Sequence, residues 1–289
     1  MNSVPVTYLF VGADETALRT AMPEFAANGV QSVVLSDQLI SAVMGKFSFA
    51  DTIKKYSELT GVKFVDSHAP FGPAIDLNVP DADAHKRMIL RHKLAMNIAA
   101  DFGVDTMTIH VGNDLRFPDV PLNEQFDWVI KSLDELLPEA EKCGITICIE
   151  NIWFRLNTPD MLLKMKSHFP TDNLGFCYDA GHANLMTQGR SFDDGAANYA
   201  WGSFNETPDW DDPILEKMLP HIVNCHIHDN NGCKDEHQLC GRGSVDWKRI
   251  IPLLKSAPGL KNIQCESISS THNFSVREMI STTREVLKY

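Results

Sequence analysis

TICIEN, residues 146–151, is a run of β-branched and apolar residues that closes on a carboxylate, Glu150. Strand interiors want apolar side chains, and an unpaired charge there is costly. The same construction recurs along the chain. VDSHAP (65–70) carries His68, TIHVGN (108–113) His110, CYDAGH (177–182) Asp179 and His182, NCHIHDN (224–230) His226, and QCES (264–267) Glu266. A hydrophilic stretch after NCHIHDN adds Asp235 and His237. Metal-binding residue types at the C-terminal ends of many successive strands are what a (β/α)8 barrel uses to assemble one site.

Working outward, the pattern predicts eight strands, over residues 6–11, 32–36, 63–68, 106–111, 146–151, 174–179, 221–228 and 262–267. Most are short runs of Val, Ile, Thr and Cys, as expected where a parallel sheet is buried on both faces. Amphipathic stretches alternate with them. Residues 81–103 and 121–144 are the clearest, each closing on a glycine that can cap a helix; 17–29, 49–61, 158–169, 245–257 and 275–288 complete the set. An open doubly wound sheet would concentrate its site at one switch point. Polar residues closing most of the strands favour a single α/β TIM barrel over residues 1–289. The segment 184–212 breaks the rhythm, with many acids and no clear period. It reads as a long loop above the site, forming a lid or a contact in a homo-oligomer.

Composition narrows the function. There are 26 Lys+Arg against 38 Asp+Glu, a net charge of -12, and no basic cluster, so a nucleic-acid partner is disfavoured. Seven cysteines form no disulfide or zinc-knuckle pattern. The start lacks the features of a signal peptide, and no apolar stretch is long enough to span a membrane. The expectation is a cytoplasmic protein without a membrane partner.

Three segments are similar to successive motifs of one family: CIEN, GFCYDAGHANL and CHIHDNNGCKDEHQLCGRGSVDW. The last combines H-x-x-D, D-x-H, and G-x-G followed by an apolar residue and DW. With these motifs the chain resembles the xylose-isomerase-like barrels. That superfamily holds sugar isomerases and epimerases together with apurinic/apyrimidinic endonucleases of the endonuclease IV type.

The resemblance implies a divalent metal (Mn2+, Zn2+, Mg2+ or Co2+) held by Glu150, Asp179, His226 and Glu266. Glu150 and Glu266 would also be the acid/base pair, with His182 as a further catalytic and substrate-touching group. His68, His110, His182, Asp235 and His237 are the further ligands that the endonucleases use for several zincs. The implied activity is isomerisation or epimerisation of a sugar or sugar phosphate through an enediolate. The alternatives are a multi-zinc phosphodiester hydrolase and a polyol or keto-inositol dehydratase.

His226 and His228 are both candidate ligands. The family spacing, three residues before Asp229, favours His226 and leaves His228 to substrate. His68, His110 and His182 are the other candidate substrate contacts, and Trp153 is placed to stack on a sugar face, with Phe71 similar. Arg155, Lys234 and Arg242 are loop cations that could hold an anion. Arg242 stands where many family members have Glu, a departure that suits an anionic substrate.

Overall fold

The computed structural model describes residues 4–269 and 272–289. Its strands are β1 (Val6–Tyr8), β2 (Ser32–Leu35), β3 (Lys63–His68), β4 (Thr106–Ile109), β5 (Thr146–Glu150), β6 (Leu174–Asp179), β7 (Ile222–Ile227) and β8 (Asn262–Cys265). They close into one barrel in chain order. Every neighbouring pair is parallel, including β1 with β8. Several strands are shorter than the sequence predicts. β1 stops at Tyr8 and β4 at Ile109, so that His110 stands one residue past its strand.

The helices are α1 (Glu15–Ala27), α2 (Asp37–Gly45), α3 (Phe49–Thr60), α4 (Ala82–Asp101), α5 (Leu122–Cys143), α6 (Pro159–His168), α7 (Ala180–Gln188), α8 (Ala196–Gly202), α9 (Ile214–Met218), α10 (Trp247–Ser256) and α11 (Val276–Val286). The segment 184–212 is therefore not one long loop: it holds the end of α7 and all of α8. Residues 180–186 of α7 are all buried, so the helix has no solvent face and leaves no 3.6-residue stripe to read. None of the described helices is long and apolar enough to cross a membrane.

Alternation along the strands separates two environments. Met107, Ile147, Phe176, Ile227 and Ile263 belong to the apolar core. Positions of the opposite parity include polar residues, and some of these meet inside the barrel. Asp66 Oδ1 of β3 accepts from Asn224 of β7 at 2.7 Å and from Thr106 of β4 at 2.8 Å. Asn262 of β8 donates to Thr106 Oγ1 at 3.2 Å. Residues on strands that are not sheet neighbours can bond only across the interior. The barrel floor is thus a buried polar layer, where barrels more often carry Val, Ile and Leu.

The G-x-G and DW of the last motif act on the chain rather than on substrate. Asp229, fully buried, accepts from the backbone N–H of Gly241 (2.8 Å), Asn230 (3.1 Å) and Val245 (3.2 Å), and from the Trp247 indole (2.8 Å). A Cβ on Gly243 would run into Asn230 O and Asp229 Oδ1. This clip folds the 229–247 loop back and fixes where Asp235 and His237 stand. Asp229→Ala leaves three backbone donors and an indole without their acceptor, so urea unfolding should report a loss of about 3 kcal/mol. A loss under about 1 kcal/mol would show that other contacts hold the loop.

Candidate active site

The strand ends converge at the barrel mouth. Glu150 closes β5 and Asp179 closes β6, His226 lies near the end of β7, and Glu266 follows β8. All four are at least nine-tenths buried. His226 Nδ1 lies 2.8 Å from Glu150 Oε1, 3.4 Å from Glu266 Oε2 and 3.7 Å from Asp179 Oδ2. One donor atom from each lies within 4.8 Å of the others. A second group brings His68 and His110 to Glu150, and a third joins His182, His228, Asp235 and His237. Every residue that the family resemblance marks as a candidate ligand therefore falls into one of three contiguous groups.

The imidazoles are aimed. His68 Nδ1 meets the Ala69 carbonyl at 2.8 Å, His182 Nδ1 the Asn151 carbonyl at 3.0 Å, and His237 Nδ1 the Glu266 carbonyl at 2.9 Å. A carbonyl only accepts, so each Nδ1 carries the proton in these bonds, and in the neutral ring Nε2 keeps its lone pair. For His182 and His237 that nitrogen faces Asp235, at 3.5 and 3.0 Å. Such backbone bonds are what orient a ligating imidazole. His226 is the reverse case, with Nδ1 turned to the carboxylates and Nε2 3.4 Å from Thr108 Oγ1.

Charge at this depth is held by pairing. Burial opposes ionisation of Glu150, yet His226 and His110 hold its carboxyl well below the usual range. Burial also opposes a charge on His226, but Glu266 and Glu150 raise it to about 10. Likewise, against burial, Asp235 lifts His237 to about 9. His68 goes the other way, to about 3, because burial dominates, and its ring is neutral. Unsatisfied donors and acceptors remain. Glu150 Oε2 has His110 Nε2 at 3.1 Å, off the line of a hydrogen bond, and Asp235 Oδ1 and His228 Nδ1 have no hydrogen-bond partner among the described residues. Orphaned carboxylate oxygens beside aimed imidazoles fit a divalent cation of borderline hardness.

Above the donors lies a cavity of about 530 Å³, lined by His68, His110, His182, Asp235, His237, Glu150 and Glu266 and walled by Phe10, Phe71, Trp153 and Phe154. Trp153 stands edge-on to His182, with ring centroids 5.0 Å apart. Two expected substrate contacts are not brought here. His228 is fully buried, bonded to Asp179 Oδ2 at 3.2 Å and stacked behind His237 at 4.0 Å. A Cβ on Gly181 would strike its ring, so this bare position is what admits it. Arg242 is exposed and lies outside the cavity lining, because the Asp229 clip turns its backbone outward; Lys234 is exposed and outside it too.

Arg155 is not a free cation either. It is 9% exposed; Nε donates to Asp114 Oδ2 at 2.7 Å, Nη1 to Glu206 Oε1 at 2.6 Å, and the guanidinium lies 3.4 Å over the Phe204 ring. Trp201 Nε1 donates to the Trp153 carbonyl at 3.0 Å. The 184–212 segment contributes no residue to the cavity lining, so it is not a lid but a buttress behind the Trp153 wall.

Three rim residues escape the sequence reading: Asp37, Asp76 and Arg116. Asp37 follows the apolar run SVVLS and obeys the same rule as Glu150, so its signal was present. Arg116, the one Lys or Arg among the described residues lining the cavity, pairs with Asp76 at 2.8 Å. Both come from loops with no strand-end pattern to mark them.

Comparison with known proteins gives a consistent picture. A family model described as xylose isomerase-like TIM barrel matches residues 21–286. The uncharacterized protein MJ1311 of Methanocaldococcus jannaschii is 28% identical over 227 residues, covering 76% of this chain and 68% of that protein. Among solved structures, a D-tagatose 3-epimerase-like protein superposes with a TM-score of 0.76 at 20% identity, over 99% of this chain and 97% of the other. D-psicose 3-epimerase, solved in the presence of D-fructose, gives 0.70 at 14%, over 99% and 97%. The IolI protein with a bound zinc atom gives 0.67 at 16%, over 97% and 96%. At these identities the structural likeness establishes the fold.

The geometry makes two expectations measurable. His226 at about 10 and His237 at about 9 both carry protons at pH 7 in the metal-free chain, and a cation must displace them. Zinc or manganese binding should therefore release at least one proton per ion, and affinity should rise with pH. Calorimetric heats that do not vary with buffer ionisation enthalpy would contradict this. Separately, Arg155→Met strands the buried Asp114 carboxylate and should cost about 3–5 kcal/mol in denaturant unfolding, with faster proteolysis across 189–206. Arg155→Lys, a point charge, should not restore both bonds. An unchanged unfolding midpoint would refute the latch.

Proposed function

Because the chain belongs to the xylose isomerase-like TIM barrel family, we propose that it is a divalent-metal-dependent sugar epimerase or isomerase in which Glu150 and Glu266 move a proton at a carbon beside a carbonyl. The observation that carries the reading is the convergence of these two carboxylates. They come from different strands, reach 2.8 and 3.4 Å from His226 Nδ1, and line the cavity floor. The epimerase structures that share the fold support the same class.

Glu150, Asp179, His226 and Glu266 would hold a manganese, zinc, magnesium or cobalt ion, whose Lewis acidity favours charge on the substrate carbonyl oxygen. The chain's own residues do the rest. Glu150 stays ionised and so is ready to take a proton. Gln264, two residues before Glu266 on the same strand face, donates to Glu266 Oε1 at 2.9 Å and fixes the carboxylate plane. One glutamate removes the proton and the other returns it; which carbon and face receive it decides between epimerisation and isomerisation. His182 is held well above its ordinary value, burial being outweighed by Asp179, Asp235 and Glu150. It lines the cavity and offers positive charge to a developing oxyanion. Trp153 and Phe71 supply apolar faces for a sugar ring. The charge of Arg116 is already answered by Asp76, which fits an unphosphorylated sugar better than a phosphorylated one.

A second reading rests on the three donor groups taken together. Three cations there would suit in-line attack on a phosphodiester. The net charge of -12 weighs against a polyanionic duplex.

The deciding experiment is solvent deuterium incorporation into a panel of free ketoses by metal-loaded protein, beside an abasic-DNA cleavage assay. Exchange into at least one ketose is expected. Glu150→Gln and Glu266→Gln should each slow it by roughly 10²–10⁴-fold. Exchange retained in both variants would remove the two-glutamate mechanism, and abasic cleavage without exchange would establish the hydrolase.

A further inference from the structure

A second cavity, of about 340 Å³, lies on the outer side of the barrel wall, where α7, the segment 210–215 and the start of α10 meet. It shares no lining residue with the cavity at the barrel mouth. The small residues Ala180 and Ala183 of α7 leave it open, and Trp210 and Tyr178 line it.

Its polar groups are of two kinds. Most of the charged ones are paired. Asp211 pairs with Arg190 at 2.5 Å and Asp212 with Lys217 at 2.9 Å. Arg249 pairs with Glu216 at 2.5 Å, and Asp246 caps α10 by accepting from Arg249 N at 3.2 Å. Three carboxylates line the cavity against one guanidinium, and Lys217 is shared with Asp160, so the surplus charge is negative and disfavours an anion. The uncharged donors are unspent. Tyr178 is 2% exposed and lines the cavity, and its hydroxyl, which solvent still reaches, makes no hydrogen bond to the described residues. The Trp210 indole N–H has none either. Asp212 Oδ1 is buried with its lysine off the hydrogen-bond line, which leaves an acceptor as well.

We propose that this cavity is a second binding site, for a small uncharged polyhydroxy compound of the monosaccharide or polyol class. Its hydroxyls answer the Tyr178 hydroxyl, the indole N–H and the Asp212 carboxylate, and its apolar C–H face lies on the Trp210 ring. The volume falls within the range of small-molecule pockets, about 300–1,000 Å³. Tyr178 and Ala180 flank Asp179, and Ala183 follows His182. The occupant therefore touches the strand–helix junction that presents two residues of the barrel mouth.

The test is equilibrium dialysis of metal-loaded protein with radiolabelled D-fructose and D-glucitol, counting equivalents bound per chain. Two equivalents of D-fructose are expected, one at the mouth and one here. Ala183→Leu, which fills the cavity, should abolish one of them, and Tyr178→Phe, which removes only the hydroxyl, should weaken it roughly tenfold. A single equivalent that Ala183→Leu abolishes would uphold this site while withdrawing the sugar reading of the barrel mouth. The proposal is overturned if neither probe binds, if Ala183→Leu folds and keeps every equivalent, or if Tyr178→Phe binds both probes as the wild type does.

Discussion

Four carboxylates, Glu150, Asp179, Glu266 and Asp235, are gathered out of water at the mouth of one barrel. Two like charges about 4 Å apart repel by about 4 kcal/mol even at an effective dielectric of 20. Such a set persists only with positive charge between its members. In the metal-free chain, protonated imidazoles supply it, with His226 between Glu150 and Glu266 and His182 and His237 against Asp235. The backbone carbonyls of Asn151 and Glu266 in turn fix the His182 and His237 rings. The strands, the DW clip and the polar floor all serve to hold this arrangement of opposite charges.

How far the sequence reveals this depends on how local each signal is. Glu150 and Glu266 are legible because a carboxylate closing an apolar run conflicts with its neighbours, and the conflict lies within six residues. The eight-strand barrel is legible for the same reason, repeated. Asp66, Asn224 and Asn262 are not, because a single polar residue inside a strand reads as noise until its partner is known, and Asn224 lies 158 positions from Asp66. His226 and His228 share a strand face, and spacing alone leaves both as candidates. What separates them is company, not depth: both are fully buried, but His226 faces Glu150, Asp179 and Glu266, whereas His228 bonds Asp179 and stacks on His237 in the room that the bare Gly181 leaves.

The loops are harder still. Arg155 and Arg242 are both single loop cations in the sequence, yet one is nearly buried and the other faces solvent. The difference is made by Asp114 and Glu206, which lie 41 and 51 residues away from Arg155. Helix α7 hides for a different reason. Its residues are buried all round, so a helix that is plain in space has no stripe in the sequence.

The Arg155 latch bears on how such a barrel can change. Active sites on barrels diversify by exchanging one loop while the scaffold stays. Here a single guanidinium joins the loops after β4, β5 and β6. A transplanted loop six would arrive without a matched carboxylate for Arg155, and a transplanted loop five would orphan Asp114. These three loops are tied into one structural block. New specificity in this lineage is easier to reach through the untethered walls, such as the half-exposed Phe71, than through Trp153.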